Sequence, residues 1–221
     1  FWNNRNARRK QPGSLLFWFK EFLDRVGHDK AVLLMHTDPL DSNGPNLNSI
    51  LQELKMTEGQ VKFSTNKIDF SQMAALYNIA DVTVNISDAE GFGLSTLESL
   101  NCETPIIVNM TGGLQEQVTD GEEWFGIGIE PSSKSVIGSQ DIPFIYEDRI
   151  SKEDFVSALE KMYNMSAEQR QSLGSKGRNY ISKKYNFKNY ISHWNLLLKE
   201  IHEKHGSWGE KKYKSWELLE V

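Results

Sequence analysis

Two glutamates, Glu90 and Glu98, flank a glycine-bearing turn in the segment SDAEGFGLSTLES, residues 87–99. A carboxylate can accept hydrogen bonds from two vicinal hydroxyls at once, which suits a ribose or sugar diol. An apolar run ends just before the turn and a helical pattern begins at about Leu94, so the segment reads as strand, turn and helix. In an open α/β sheet, ligands sit beyond the carboxyl ends of the strands. A helix start at that edge offers unpaired N–H groups, here those of Leu94, Ser95 and Thr96, and the positive end of a dipole, which suits a diphosphate. Gly91 and Gly93 let the main chain approach such a ligand, and Gly93 is a candidate for a backbone conformation barred to other residues. Glu98 lies one turn inside the helix, and that turn rises about 6 Å, roughly the step from a diphosphate to a neighbouring ribose. Glu90 stands where a sugar beyond the diphosphate would project; there a carboxylate could hold hydroxyls or stabilise charge at an anomeric carbon. Taken singly, each carboxylate is an ordinary solvated residue and one G-x-G is a weak signal. Their combination across one junction is what points to a site.

The surrounding elements are those that would carry such a junction. Residues 15, 16, 19, 22, 23 and 26 form a helical stripe, with Gly13 and Ser14 as the expected start and cap. The apolar run 31–36 reads as a strand covered on both faces. Further strands are expected at 61–64, 81–87, 105–109 and 126–131, with helices at 46–56, 69–80, 93–102 and 114–118 between them. This alternation predicts an α/β fold, a Rossmann-like doubly wound parallel sheet flanked by helices. Residues 132–148 lapse into Ser, Gly, Pro and Asp and read as an insertion loop. Helices are expected at 151–163, 166–184, 187–204 and 213–220, the third with one apolar face.

Composition narrows the function classes. A formal net charge of −5 argues against nucleic acid as the main partner. The single cysteine, Cys102, excludes an intramolecular disulfide and a cysteine-based zinc site, and a reducing, cytoplasmic setting is the natural expectation. No apolar run approaches the ~18 residues of a membrane span. The chain opens on Phe1-Trp2 without Met and runs into a polar turn, as expected for the tail of a strand that begins upstream.

The segment EGFGLSTLE (90–98) resembles the donor site of retaining GT-B glycosyltransferases, particularly the large family 4 group (glycosyl transferases group 1), whose members carry E-G-F-G-L-x-x-L-E. ALYNIADVTVNIS (75–87) is similar to the family's stretch before that motif, and CETPIIVNMTGGLQEQVTDGEEWFGIGIEP (102–131) to its stretch after it. Glu103 departs from the pattern, which usually has Gly there. The resemblance implies the C-terminal, donor-binding half of a GT-B fold over residues 1–204, with 205–221 as a helical tail. It further implies a nucleoside-diphosphate sugar, UDP- or GDP-linked, as donor, no metal, and an N-terminal acceptor domain that this chain lacks.

By the same resemblance, Arg5 and Lys10 contact the donor diphosphate, with Arg9 as the alternative to Lys10. Fixed cations there would stabilise the charge that develops on the leaving group. Glu90 joins them as the third catalytic candidate. Gly91, Phe92, Gly93, Leu94, Ser95, Thr96 and Glu98 would bind the donor, and main-chain groups near Phe63 and Ser64 the base, although Phe63 reads equally well as core. His36 and Asp38 are expected to form a capped turn bordering the site rather than a catalytic pair. The rival readings are a non-catalytic nucleotide-sugar-binding module on the same fold and a GT-B epimerase relative.

Overall fold

The computed structural model of the chain describes residues 1–206. They fall into two compact units, one running from Phe1 to Ile181 and one beginning at Ser182. The expected helix at 213–220, with most of the expected tail, lies outside the described residues.

In the first unit, strands β1 (Trp2–Asn3), β2 (Leu33–His36) and β3 (Val61–Ser64) pair in parallel, as do β4 (Thr83–Asn85), β5 (Ile106–Asn109) and β6 (Gly126–Ile129). Phe1 joins the two triplets. Its amine donates to Val82 O (2.7 Å), and Val84 N–H donates to its carbonyl (2.8 Å). The strands therefore run in the order β3-β2-β1-β4-β5-β6, the doubly wound topology expected, with the order reversing between β1 and β4. β4 and β5 are buried at every residue, and Ile86, Ile106, Ile107 and Val108 have 5 % exposure or less. Each such side chain contributes about 1.5–3 kcal/mol through burial.

The helices follow their sequence signals closely: α1 (Pro12–Val26), α2 (Leu47–Glu53), α3 (Phe70–Asn78), α4 (Leu94–Asn101) and α5 (Gln115–Val118), then α6 (Lys152–Tyr163) and α7 (Ala167–Lys184). α1 buries Leu15, Leu16, Phe19, Phe22 and Leu23 and packs on α2 and α6, where Trp18 meets Phe155 with ring centroids 5.6 Å apart. Its start differs from the expected one. Pro12, whose missing N–H costs nothing in a first turn, opens the helix, and Gln11 precedes it in the left-handed region (φ 55°). Ser14 does not cap but donates to Gln11 Oε1 at 2.7 Å. α3 starts at a capping box, Asp69 with Gln72.

Residues 132–148 are not a loop. β7 (Ser133–Ile137) and β8 (Ile145–Arg149) form an antiparallel hairpin, in register from Ser133↔Arg149 to Ile137↔Ile145. The hairpin was hidden because half of its side chains are exposed and only one is buried, so no apolar alternation marks it. A lone hairpin is marginal in water. This one is anchored along β8: Asp148 N–H donates to Asp88 O (2.8 Å), Asn109 Nδ2 to Asp148 O (2.8 Å), and Thr111 Oγ1 to Asp148 Oδ2 (2.8 Å).

Glu103 adopts φ 59°, which explains why glycine suits this position. Its carboxylate accepts from Ser175 Oγ and Arg178 Nη1, each at 2.9 Å. In the second unit, α8 (Phe187–His205) begins at an Asn186 cap, and none of its residues is buried. No helix among the described residues is long and apolar enough to cross a membrane.

Candidate donor site

The sheet reverses between β1 and β4, and the loops leaving those two strands carry most of the predicted residues. The β1 loop passes Asn4 and Arg5, then turns through a 3₁₀ segment, Arg8–Lys10, into α1. The β4 loop passes Asp88, Glu90 and the glycines into α4. Asp88 N–H donates to Arg9 O at 2.8 Å, so one main-chain bond ties the loops together.

Gly93 caps α4 with φ 90°, and a Cβ there would lie 2.6 Å from Leu114 Cδ2, so both conformation and space demand glycine. Gly91 is different: a Cβ there meets nothing within 4 Å, leaving its main chain open for approach. The turn rests on a second glycine pair outside the predicted site. Gly112 sits at φ 49° under Glu90 O, where a Cβ would come within 1.8 Å, and Gly113 faces Phe92 Cα at 2.7 Å. Leu97 N–H makes the bond to Gly93 O (3.2 Å), leaving the N–H groups of 94–96 at the helix start without an intrahelical acceptor.

A cavity of 420 Å³ lies between the loops. Asn3, Arg5 and Lys10 line one wall; Glu90, residues 92–95 and Glu98 line the other. A neighbouring cavity of 320 Å³ shares Asn3, Asn4 and Arg5 with it and extends past His36, Asp38 and Ser64 to residues 65–67. The larger cavity of 770 Å³ opens at the amino edge of the sheet, by Val32 and Val82, away from these groups.

Lys10 forms an ion pair with Glu90 in which both side chains are about nine-tenths buried. Burial pushes the Lys10 amine down, and Glu90 partly restores it. Arg9 lies 3.6 Å from Glu90 but is half exposed, its guanidinium donating to Ala89 O (2.7 Å) and lying outside the cavity lining. Between the two, Lys10 is the cation the geometry puts inside. Arg5 points along the rim to Asp41 (2.6 Å), which holds the Asp41 carboxyl well below its usual range through hydrogen bonding. Glu98 Oε2 accepts from Tyr77 Oη at 2.8 Å, and its other oxygen has no partner among the described residues.

The remaining predicted residues divide by what their side chains do. Leu94 is exposed and Ser95 half-buried at the mouth of α4. Phe92 is partly exposed, and its carbonyl accepts from Gln117 Nε2 (2.7 Å). Thr96 is fully buried and its hydroxyl lies within hydrogen-bond reach of Gly93 O and Gln117 Oε1, so only its N–H is left at the helix start. Ser64 lines the neighbouring cavity and its hydroxyl meets His36 Nδ1 at 3.0 Å, whereas Phe63 packs against the core. His36 and Asp38 border the site, as expected.

Several polar residues that line the cavity or brace its loops had no motif to announce them. Asp88, 4 % exposed and raised by burial, accepts from Gln11 Nε2. Glu147 of the hairpin takes both Arg8 amines (2.6 and 3.0 Å) and Arg149 (3.0 Å), and the Arg8 hydrogen bonds hold it below the usual carboxylate range. Asn3 and Asn4 preceded Arg5 in plain view, but nothing in their type separates a ligand-facing asparagine from a turn residue.

The fold is of the GT-B type. The chain belongs to the glycosyl transferases group 1 family, whose model matches residues 44–180. Over 66 residues it is 48% identical to a D-inositol 3-phosphate glycosyltransferase of Thermomonospora curvata, a match covering 29% of this chain and 15% of that protein. Among solved structures, sucrose-phosphate synthase from Thermosynechococcus elongatus superposes with a TM-score of 0.71 at 22% identity, over 92% of this chain and 45% of that one. A pneumococcal O-GlcNAc transferase solved with UDP and GlcNAc superposes with a TM-score of 0.64 at 17% identity, over 90% and 35%. The chain thus spans less than half the length of these proteins.

Proposed function

We propose that this chain is the donor-binding domain of a glycosyltransferase that moves a hexosyl-type sugar from a nucleoside-diphosphate sugar with retention of anomeric configuration. The observation that carries this reading is the convergence of Lys10, the α4 N-terminus and Glu98 on one cavity where the strand order reverses. The UDP held by the pneumococcal transferase supports the donor class.

In this reading the diphosphate lies against the N–H groups of 94–96 and draws the Lys10 ammonium from Glu90. Arg5 swings from Asp41 to the same anion. Together they stabilise the charge left on the nucleoside diphosphate as the glycosidic carbon–oxygen bond breaks, supplying the positive charge a divalent metal would otherwise bring. Glu98 accepts from the ribose hydroxyls. Glu90, released from Lys10, orients the sugar with the main chain of 91–93. The acceptor attacks from the face the phosphate leaves, presented by an acceptor-binding domain outside this chain. The isolated chain binds donor and transfers little.

The test is calorimetric titration of the chain, without added metal, with UDP, GDP, ADP and their sugar conjugates. Saturable binding of one nucleotide, weakened by Lys10→Ala and by Glu98→Ala, is the expected result. Binding of none overturns the reading, and full transferase turnover by this chain alone overturns the division of labour.

A further inference from the structure

We propose that Tyr77 is a positioning residue that sets ribose recognition by holding Glu98 in one orientation; this rests on the donor-site reading above. Tyr77 belongs to α3, outside the predicted motif, and is 1% exposed. Its ring is fixed by an edge-on contact with Phe1 (centroids 5.0 Å apart, planes at 80°), and its main chain by Thr104 Oγ1, which donates to Tyr77 O (2.8 Å).

The phenol hydroxyl lies between Asn3 and Glu98. Asn3 Nδ2 donates to it at 2.8 Å, and it donates to Glu98 Oε2 at 2.8 Å. The direction follows from chemistry. A hydroxyl has one proton, an ionised carboxylate only accepts, and the Asn3 amide nitrogen only donates. Burial keeps the phenol protonated well beyond the ordinary tyrosine range, so the donation persists at any working pH. With Oε2 engaged, Oε1, which has no partner among the described residues, is the oxygen left for a ligand. Asn3 stands in the cavity wall at the end of β1, so the relay links both walls of the cavity to one carboxylate.

Without the hydroxyl, Glu98 keeps its charge but loses the bond that fixes its plane, so discrimination for a ribose diol falls while the diphosphate contacts persist. The experiment compares the full chain with Tyr77→Phe, which keeps the ring. Each is titrated with UDP, GDP and ADP, with the 2′,3′-dideoxy analogue of whichever nucleotide binds, and with inorganic pyrophosphate. We expect Tyr77→Phe to weaken the nucleoside diphosphate roughly three- to tenfold, the size of one ordinary net hydrogen bond, because the lost bond orients Glu98 rather than touching the ligand. The dideoxy analogue and pyrophosphate should stay within about twofold, and in a Glu98→Ala background the substitution should add nothing.

Equal losses for nucleotide, dideoxy analogue and pyrophosphate, or unchanged preference for the diol, overturn the inference and leave the donor site standing. Failure of the unsubstituted chain to bind any nucleotide overturns both. Should Tyr77→Phe unfold, ¹³Cζ-tyrosine NMR of the unsubstituted chain decides: the Tyr77 signal should move with nucleoside diphosphate and stay put with pyrophosphate, and the converse overturns the inference.

Discussion

The β4–α4 turn and the β7–β8 hairpin meet at Asp88, yet they are built in opposite ways. The turn depends on missing atoms: Gly112 and Gly113 let their main chain pack on that of residues 90–92, and Gly93 sits against the Leu114 and Thr96 side chains, each where a Cβ would come too close. The hairpin depends on added polar atoms, since Glu147, Asp148 and Arg149 replace the apolar face a strand pair normally buries. One region is rigid through close packing and the other through charge. Perturbations should therefore act on them differently.

The largest effect is expected at Gly112. Gly112→Ala drives a Cβ to within 1.8 Å of Glu90 O at a positive φ, and should cost more than about 3 kcal/mol by denaturant unfolding. Gly91→Ala has open space and should leave stability within about 0.5 kcal/mol while weakening nucleotide binding. Equal melting of the two variants would break the packing account of the turn.

On the hairpin side, Glu147→Ala leaves Arg149 with only its longer pair to Asp88 (3.8 Å) and leaves Arg8 to solvent, and should cost about 1–3 kcal/mol. It should also loosen the loop carrying Lys10, read as faster amide exchange at residues 8–10. An unchanged unfolding curve would show that the hairpin is ornamental.

The pH response separates the two regions by sign. Glu147 is held below its ordinary value by Arg8, so its contribution is complete above the ordinary glutamate range and is lost as pH falls through the lowered value. Asp88 is raised by burial, so its ionisation costs stability as pH climbs from the ordinary aspartate range through the raised value. Glu147→Gln should flatten the acid-side loss, and Asp88→Asn the opposite slope, in urea titrations at stepped pH. Matching slopes would contradict the assignment.

The smallest effect belongs to Glu103→Gly. Relief of left-handed strain, about 1 kcal/mol, is set against loss of the exposed Arg178 pair and the Ser175 bond, about 0–1 kcal/mol, so the net change should stay within about 1 kcal/mol. Destabilisation beyond that would mean the carboxylate matters more than the backbone.

The same contrast explains what the sequence disclosed. The parallel sheet was legible because buried strands such as 105–109 are continuous apolar runs, and the turn was legible because glycines and glutamates at fixed spacing meet at a strand–helix junction. Lys10 stood out only through resemblance. Its choice over Arg9 needed the 3₁₀ segment, which turns consecutive side chains in different directions. The hairpin was illegible because its pairing is satisfied by main chain and charge, with little apolar pattern to read. Asp88, Glu147 and Tyr77 act through partners 21 to 139 residues distant, and no local window contains such a pairing.

The most direct measurement is a crystal structure of the chain with the nucleoside diphosphate that titration selects. The account predicts phosphate oxygens on the N–H groups of 94–96, Lys10 Nζ moved from Glu90 to the diphosphate, and ribose hydroxyls on Glu98. A nucleotide seated elsewhere, or bound with Lys10 still on Glu90 and the ribose away from Glu98, would contradict it.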